Sequence, residues 1–256
     1  MENRLHKIAC RIQKEGSVRA RDLAEEFGVS METIRKDLAR LETEGVVRRE
    51  YGHAYVADDM EKRLDLRPRL EAKEAIGREI AKHLEDFHTV LLDCSSTVHK
   101  AAAPLNRMSS RDIFTNSLVL AERLDAQRHC VFVLPGRKRS KNESLIGPWA
   151  EEYIARIHVD VCVLGSSGVL HAQGPTCHSY TEISTKRKMM EAADFVIVAL
   201  DAGKFQESGL HTYASWDEVD AVIMDRMLDR KTYAFLMEKM EVWVAQDEVS
   251  GSRKGL

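Results

Sequence analysis

Over the first sixty positions the apolar residues form three helical stripes followed by a short extended tail. Leu5, Ile8, Ala9 and Ile12 recur at helical spacing and predict a first helix that Gly16 would stop. Ser17-Val18-Arg19 reads as an extended link, and Ala20 to Phe27 as a second helix with Leu23, Ala24 and Phe27 on one face. Gly28 supplies a turn, and Ser30 suits an N-cap for a third helix from Met31 to about Glu44, ended by Gly45. Val46 to Val56 then predicts two short strands around a turn at Gly52.

The pattern changes after residue 73. Helices are predicted over Glu74 to Leu84, after Ser96, over Leu118 to Leu124 and over Ile183 to Ala193. Apolar strands fall at Thr89 to Leu92, near Asp112 to Phe114, and at Val131 to Leu134, Val159 to Leu164, Phe195 to Leu200 and Ala221 to Met224. This alternation predicts a mainly parallel sheet covered by helices on both faces, a Rossmann-like α/β domain. The densely charged stretch 58–73, which contains Pro68, suits a connector, so the division is a 1–57 module, a 58–73 linker and a 74–256 domain. The polar tail GSRKGL reads as unstructured.

Composition narrows the classes without choosing one. Hydrophobic content of 44% and charged content of 31% suit a globular protein with a sizeable core rather than a disordered chain. Five scattered cysteines without a C-x-x-C pair argue against a disulfide framework or a zinc site and suit a reducing cytoplasm. No apolar run is long enough to span a bilayer and no export signal is evident, so no membrane partner is expected. Residues 1–57 carry 11 Lys+Arg against 10 Asp+Glu, so contact with nucleic acid would depend on where charges sit, not on a bulk field.

The third predicted helix sorts its charges. With Ile34, Leu38 and Leu41 on one side, Glu32, Lys36, Ala39, Arg40 and Thr43 lie opposite, flanked by Thr33 and Arg35. A helix-turn-helix uses such a layout: the apolar side seats the helix while Thr, Lys and Arg meet base edges in the major groove. Strand arginines beyond it would meet phosphates. The candidate DNA-contacting residues are therefore Ser30, Thr33, Arg35, Lys36 and Arg40, with Arg48, Arg49 and His53 on the wing.

Residues 20–54, ARDLAEEFGVSMETIRKDLARLETEGVVRREYGHA, resemble the winged helix-turn-helix of the DeoR family of bacterial transcription regulators. The family's usual H-G-G-A wing tip is replaced by Tyr51-Gly52-His53-Ala54.

In open α/β sheets ligands collect beyond the carboxyl ends of the strands. The residues there are Asp93-Cys94-Ser95-Ser96-Thr97, Thr115-Asn116-Ser117, Pro135-Gly136-Arg137, Gly165-Ser166-Ser167-Gly168 and Asp201-Ala202-Gly203-Lys204. Hydroxyls, small residues and a lysine suit a phosphate, and Asp93, Asn116 and Asp201 can accept bonds from sugar hydroxyls. Any one of these loops has a local explanation as a cap or turn; their agreement points to a phosphorylated polyol or sugar.

The same loops, with Leu134 and Gly136, Ser144 and Gly147, Leu164 to Gly168, Glu182, Lys186 and Met189, and Asp201, Lys204 and Phe205, resemble the DeoR-type sensor domain, a relative of sugar-phosphate isomerase folds. Arg137, Gly203 and Cys94 depart from that pattern. The candidate effector residues are Asp93, Ser95, Ser96, Thr97, Asn116, Ser117, Gly136, Arg137, Gly165 and Lys204, joined through the resemblance by Lys186. The expected function is a cytoplasmic, homo-oligomeric (dimeric or tetrameric) repressor of a carbohydrate-metabolism operon. It would bind double-stranded DNA with an affinity set by a phosphorylated sugar, and would need no cofactor, metal or catalytic residue.

The alternative is a sugar-phosphate isomerase or phosphotransferase carrying a DNA-binding module, with Asp93, Asp201 and Lys204 in acid–base roles. A nucleotide switch is disfavoured by the lack of a G-x-x-x-x-G-K-[ST] motif. Cys94 as a redox sensor would require its thiol pKa to be lowered by helix-start N–H groups.

Overall fold

The computed structural model describes residues 2–15, 17–43, 47–56, 70–139 and 142–245. The chain divides into two compact units, Met1–Leu70 and Glu71–Leu256. The charged connector expected at 58–73 falls mainly on residues 57–69, outside the described set, as do the stops expected at Gly16 and Gly45 and the tail GSRKGL. Its last four residues open a helix, α4 (Leu70–His83), in which Lys73 is buried.

In the first unit α1 (Glu2–Glu15), α2 (Ala20–Phe27) and α3 (Met31–Thr43) pack around Ile8, Ile12, Leu23, Ile34 and Leu38. Burying each such side chain stabilises the module by about 1.5–3 kcal/mol. The extended link is a strand, β1 (Ser17–Arg19), which pairs antiparallel with β3 (His53–Val56), itself paired with β2 (Val47–Glu50). Gly28 ends α2 in the left-handed region at φ 62°. Tyr51 and Gly52, at φ 48° and 79°, form the two-residue turn of the β2–β3 hairpin; positive φ at both positions matches the right-handed twist of the strands.

The second unit holds a seven-stranded, wholly parallel sheet in the order β14-β13-β11-β9-β4-β5-β6. These are β4 (Thr89–Leu92), β5 (Asp112–Thr115), β6 (Cys130–Val133), β9 (Val159–Gly165), β11 (Ala193–Ala199), β13 (Ala221–Met224) and β14 (Glu241–Val244). Successive side chains in the central strands go to opposite faces. Val90, Leu92, Val161 and Val163 pack with Ile76 and Ile80 of α4 (Leu70–His83), whereas Leu91, Cys162 and Leu164 pack with Ile154 of α7 (Pro148–Ile154) and Met189 of α8 (Tyr180–Glu191). All six strands read from the sequence are present. The elements missed are α7, α9 (Arg230–Met237), the seventh strand β14, and two short ribbons, β7 (Arg137–Lys138) with β8 (Leu145–Ile146) and β10 (Thr176–Cys177) with β12 (His211–Thr212). The missed strands have two to four residues and the missed helices seven and eight, about two turns, too few to show a clear period.

Strand order reverses between β4 and β9, so the crevice beyond their carboxyl ends is the topological switch point.

Candidate DNA-reading face and candidate effector site

In the first unit α3 presents two faces. Ile34, Leu38 and Leu41 are buried, and so is Asp37, which accepts a bidentate pair from Arg4 of α1 at 2.7 and 3.2 Å. Glu32, Arg35, Lys36 and Arg40 are exposed, with Thr33 half-buried at the edge. Ser30 caps the helix: its Oγ accepts from the Thr33 N–H at 3.2 Å and lies 2.9 Å from the Thr33 hydroxyl. Lys36 reaches only a 4.0 Å contact with Glu32, both side chains being largely solvated.

The two wing arginines differ. Arg48 is exposed on β2. Arg49 is fastened to α3: its N–H and Nε both donate to Glu42 at 2.8 Å, and its Nη1 donates to the Arg35 carbonyl. Burial works against the Glu42 charge, but these bonds outweigh it and hold the carboxyl below the usual carboxylate range. Arg49 thus locks the wing to the third helix, a role the local pattern did not reveal. His53 accepts from Arg19 Nε at 3.3 Å and faces Tyr55 at a tilt.

In the second unit the switch point is built around Asp93, which follows β4 and is 1% exposed. Its Oδ1 accepts from the Ser95 N–H at 2.8 Å, and its Oδ2 accepts from the Gly165 N–H at 2.9 Å and from Lys186 Nζ. Lys186, from α8, also donates to the Gly165 carbonyl at 3.2 Å and lies 4.9 Å from the Tyr213 ring centre. Burial alone would lower the pKa of Lys186, but Asp93 reverses this and holds it well above the ordinary lysine value, so the pair is ionic. Tyr213, fully buried, donates its hydroxyl to the same carbonyl at 3.0 Å. Glycine is required at 165 because a Cβ would lie 2.2 Å from Ser95 Cβ.

A second layer covers this core. Arg139, beyond β7, pairs with Glu182 in the first turn of α8, and Asn142 donates to Glu182 at 3.0 Å and to Cys94 Sγ at 3.2 Å. Asn142 Oδ1 in turn accepts from the Ser144 hydroxyl at 2.8 Å. Asn116 donates through Nδ2 to the Leu145 carbonyl at 3.3 Å, while its buried Oδ1 has no hydrogen-bond partner among the described residues. A buried acceptor left so costs about 1–3 kcal/mol. Of this layer, Arg139 and Asn142 were missed in the sequence, and Glu182 stood out only through the family pattern; nothing local marks a residue that acts by folding back over a distant loop.

The remaining candidates divide. Ser95 Oγ accepts from the Val98 N–H at 3.1 Å, capping a 3-10 turn (Val98–Ala101), and Thr97 is buried just before it, while Ser96 is half-buried. Ser117 is fully buried: its hydroxyl lies 2.7 Å from His99 Nε2 and caps α6 (Leu118–Arg123), so its role here is structural. Gly136 sits at φ 148°, where a Cβ would approach the Ile146 backbone to 2.9 Å. Arg137 is exposed on β7 and does not plug the crevice. Lys204 pairs with Glu207 at 2.6 Å, in the 3-10 segment Ala202–Gln206 that walls a different cavity. That cavity, of about 630 Å³, is lined by Val169, Ala202, Phe205, Trp216, Met227 and Phe235 among others.

Cys94 is buried, and that burial, followed by the charge of Asp93, pushes its thiol up to about 12. The lowering that a redox or nucleophilic role would need is reversed by desolvation. No group of three or more potential metal ligands occurs among the described residues.

These features define a protein class: a winged helix-turn-helix module on the same chain as a parallel α/β domain with a polar, charged switch point. A model of the DeoR-like helix-turn-helix domain matches residues 4–59, and one of the DeoR C terminal sensor domain matches residues 69–226. The chain belongs to the DeoR family. The HTH-type transcriptional repressor GlcR of Bacillus subtilis is 30% identical over 231 residues, covering 88% of this chain and 89% of that protein. The glycerol-3-phosphate regulon repressor of Escherichia coli strain K12 is 29% identical over 221 residues (84% and 86%), and the transcriptional repressor AccR of Agrobacterium fabrum 28% over 230 (88% and 89%). Among solved structures, ribose 5 phosphate isomerase A from Neisseria gonorrhoeae aligns over 52% of each chain at 16% identity with a TM-score of 0.34, too low to carry an argument.

Proposed function

We propose that this protein is a DNA-binding transcriptional repressor of a carbohydrate-metabolism operon whose DNA affinity is controlled by a phosphorylated sugar bound in the second unit. The observation that carries this is the pairing, on one chain, of a helix-turn-helix module whose third helix leaves Arg35, Lys36 and Arg40 exposed with a sensor domain whose switch point gathers Asp93, Lys186, Asn116 and Arg139. Exposed cations on one helix face suit phosphates and guanine edges. GlcR and the glycerol-3-phosphate regulon repressor are repressors matched over most of their length, and the chain is a regulator rather than an enzyme. Asp93 and Lys186, as the most buried ionisable pair of the crevice, neutralise each other, which supports binding over acid–base turnover. No described helix is long and apolar enough to cross a membrane. The reading includes a cytoplasmic homo-oligomer, whose two reading heads would match paired half-sites one helical turn apart.

The residue assignments are part of the proposal: Ser30, Thr33, Arg35, Lys36, Arg40, Arg48 and His53 at DNA, with Arg49 holding the wing, and Asp93, Ser95, Ser96, Asn116, Arg139 and Lys186 around the effector. The test is binding of the purified protein to DNA upstream of its own gene neighbourhood over a salt series, with and without phosphosugars. Affinity should fall steeply with salt and change when the effector is added. Salt-independent binding, or none, would refute the reading.

A further inference from the structure

Two cations and two carboxylates meet at the switch point, Lys186 with Asp93 and Arg139 with Glu182, so the cluster is electrically balanced without ligand. A sugar phosphate brings roughly two negative charges near neutral pH. Placing them in a balanced, poorly solvated cluster is unfavourable unless a resident carboxylate gives up its cation.

The two carboxylates are not equivalent. Asp93 is 1% exposed and holds two backbone N–H groups as well as Lys186, so its release would leave the N–H groups of Ser95 and Gly165 without their acceptor. Glu182 lies in the first turn of α8 with a 13% exposed side chain, and its carboxylate accepts from the side chains of Arg139 and Asn142. It can swing out without breaking any backbone bond. Arg139 offers a planar fork suited to bidentate phosphate binding, and its side chain is 14% exposed, so an incoming anion can reach it. Asn142 and Ser144 connect this pair to the segment bonded to Asn116, whose buried Oδ1 lacks a donor among the described residues.

We propose that Arg139 is the phosphate-binding residue of the effector site and that Glu182 occupies it when no ligand is bound, so that effector and Glu182 compete for one guanidinium. Asn116 then accepts from a hydroxyl of the same ligand. This rests on the sugar-phosphate reading above and adds a specific consequence: the two members of one ion pair act on ligand affinity with opposite signs. Removing Glu182 removes the competitor; removing Arg139 removes the receptor.

The test is calorimetric titration of the full chain with glycerol 3-phosphate, ribose 5-phosphate and fructose 6-phosphate, each beside its unphosphorylated counterpart. For the phosphosugar that binds the wild type, Glu182→Gln should tighten binding several-fold, to about tenfold. Arg139→Ala should weaken it by about 30-fold or more, and Arg139→Lys should fall between. Tryptophan emission of each variant checks its fold, and Arg139→Gln serves if the alanine variant does not fold. Unchanged affinity in both Arg139→Ala and Arg139→Gln overturns the proposal and leaves the sugar-phosphate reading standing. Weakening by Glu182→Gln comparable to that by Arg139→Ala also overturns it, making Glu182 a ligand contact instead. If no phosphosugar binds either the wild type or Glu182→Gln, the sugar-phosphate reading fails and this proposal fails with it.

Discussion

Replacing Lys186 with Met tests whether the switch-point core is as dry and as ionic as its geometry implies. The substitution keeps the length of the side chain and removes the charge that faces Asp93. Removing one partner of a buried pair costs about 3–5 kcal/mol, because the other charge stays buried and uncompensated. Asp93 retains the N–H groups of Ser95 and Gly165, which places the expected loss at the lower end, near ~3 kcal/mol. For a unit of this size about 2–4 °C accompanies each kcal/mol, so the midpoint should fall by roughly 6–12 °C. All three tryptophans, Trp149, Trp216 and Trp243, lie in the second unit, so urea unfolding followed by their fluorescence reports this domain alone. Asp93→Asn combined with Lys186→Met should recover about 1–2 kcal/mol, since no lone charge remains although one N–H bond is lost. The folded pKa of Lys186 is raised, so the pair's contribution is complete below the unfolded lysine value of about 10.5 and is lost only as pH rises through the higher folded value. The deficit of the variant should therefore be flat from about pH 6 to 9. A loss under about 1 kcal/mol, or a double variant no better than the single, would refute the buried-pair reasoning.

Other outcomes follow from single contacts. Gly165→Ala should destabilise the second unit by about 1–3 kcal/mol in urea unfolding, and Ser95→Gly should rescue it, because the new Cβ collides with Ser95 Cβ. Asp160 is held below the usual aspartate range, first by the Thr89 N–H and then, against burial, by the His88 N–H and the Thr89 hydroxyl. Its contribution is present above the unfolded value and lost as pH falls through the depressed folded one. Asp160→Asn should therefore cost about 1.5–3 kcal/mol at pH 7 and progressively less on acidification. In thiol labelling at neutral pH read by mass spectrometry, exposed Cys130 should react while Cys94 and Cys162 react only after unfolding. Lys36→Ala should weaken operator binding and reduce the salt slope by about one without altering stability, whereas Arg49→Ala should also lower the melting temperature of the first unit, since Arg49 ties β2 to Glu42.

The sequence by itself determined what depends on neighbours in the chain. The apolar stripes of the three N-terminal helices, the left-handed turn at Gly28, the Ser30 cap and the hairpin around Gly52 are all satisfied within a few residues, so composition and spacing specify them. Six of the seven parallel strands were legible, the central ones because burial on both faces demands continuous apolar runs, whereas the edge strand β14 was missed. Tertiary structure alone decided which strand ends meet. Asp93 and Gly165 are 72 positions apart and touch only because β4 and β9 are neighbours where the sheet order reverses. The same order brings Lys186 to Asp93, while Lys204, equally prominent in the sequence, pairs instead with its near neighbour Glu207. Arg49 and Arg139 likewise resemble any exposed arginine until folding supplies Glu42 and Glu182 as partners. Periodicity encodes which face a residue occupies, but the identity of a distant partner is set by strand order, and that is fixed by the packing of the whole sheet.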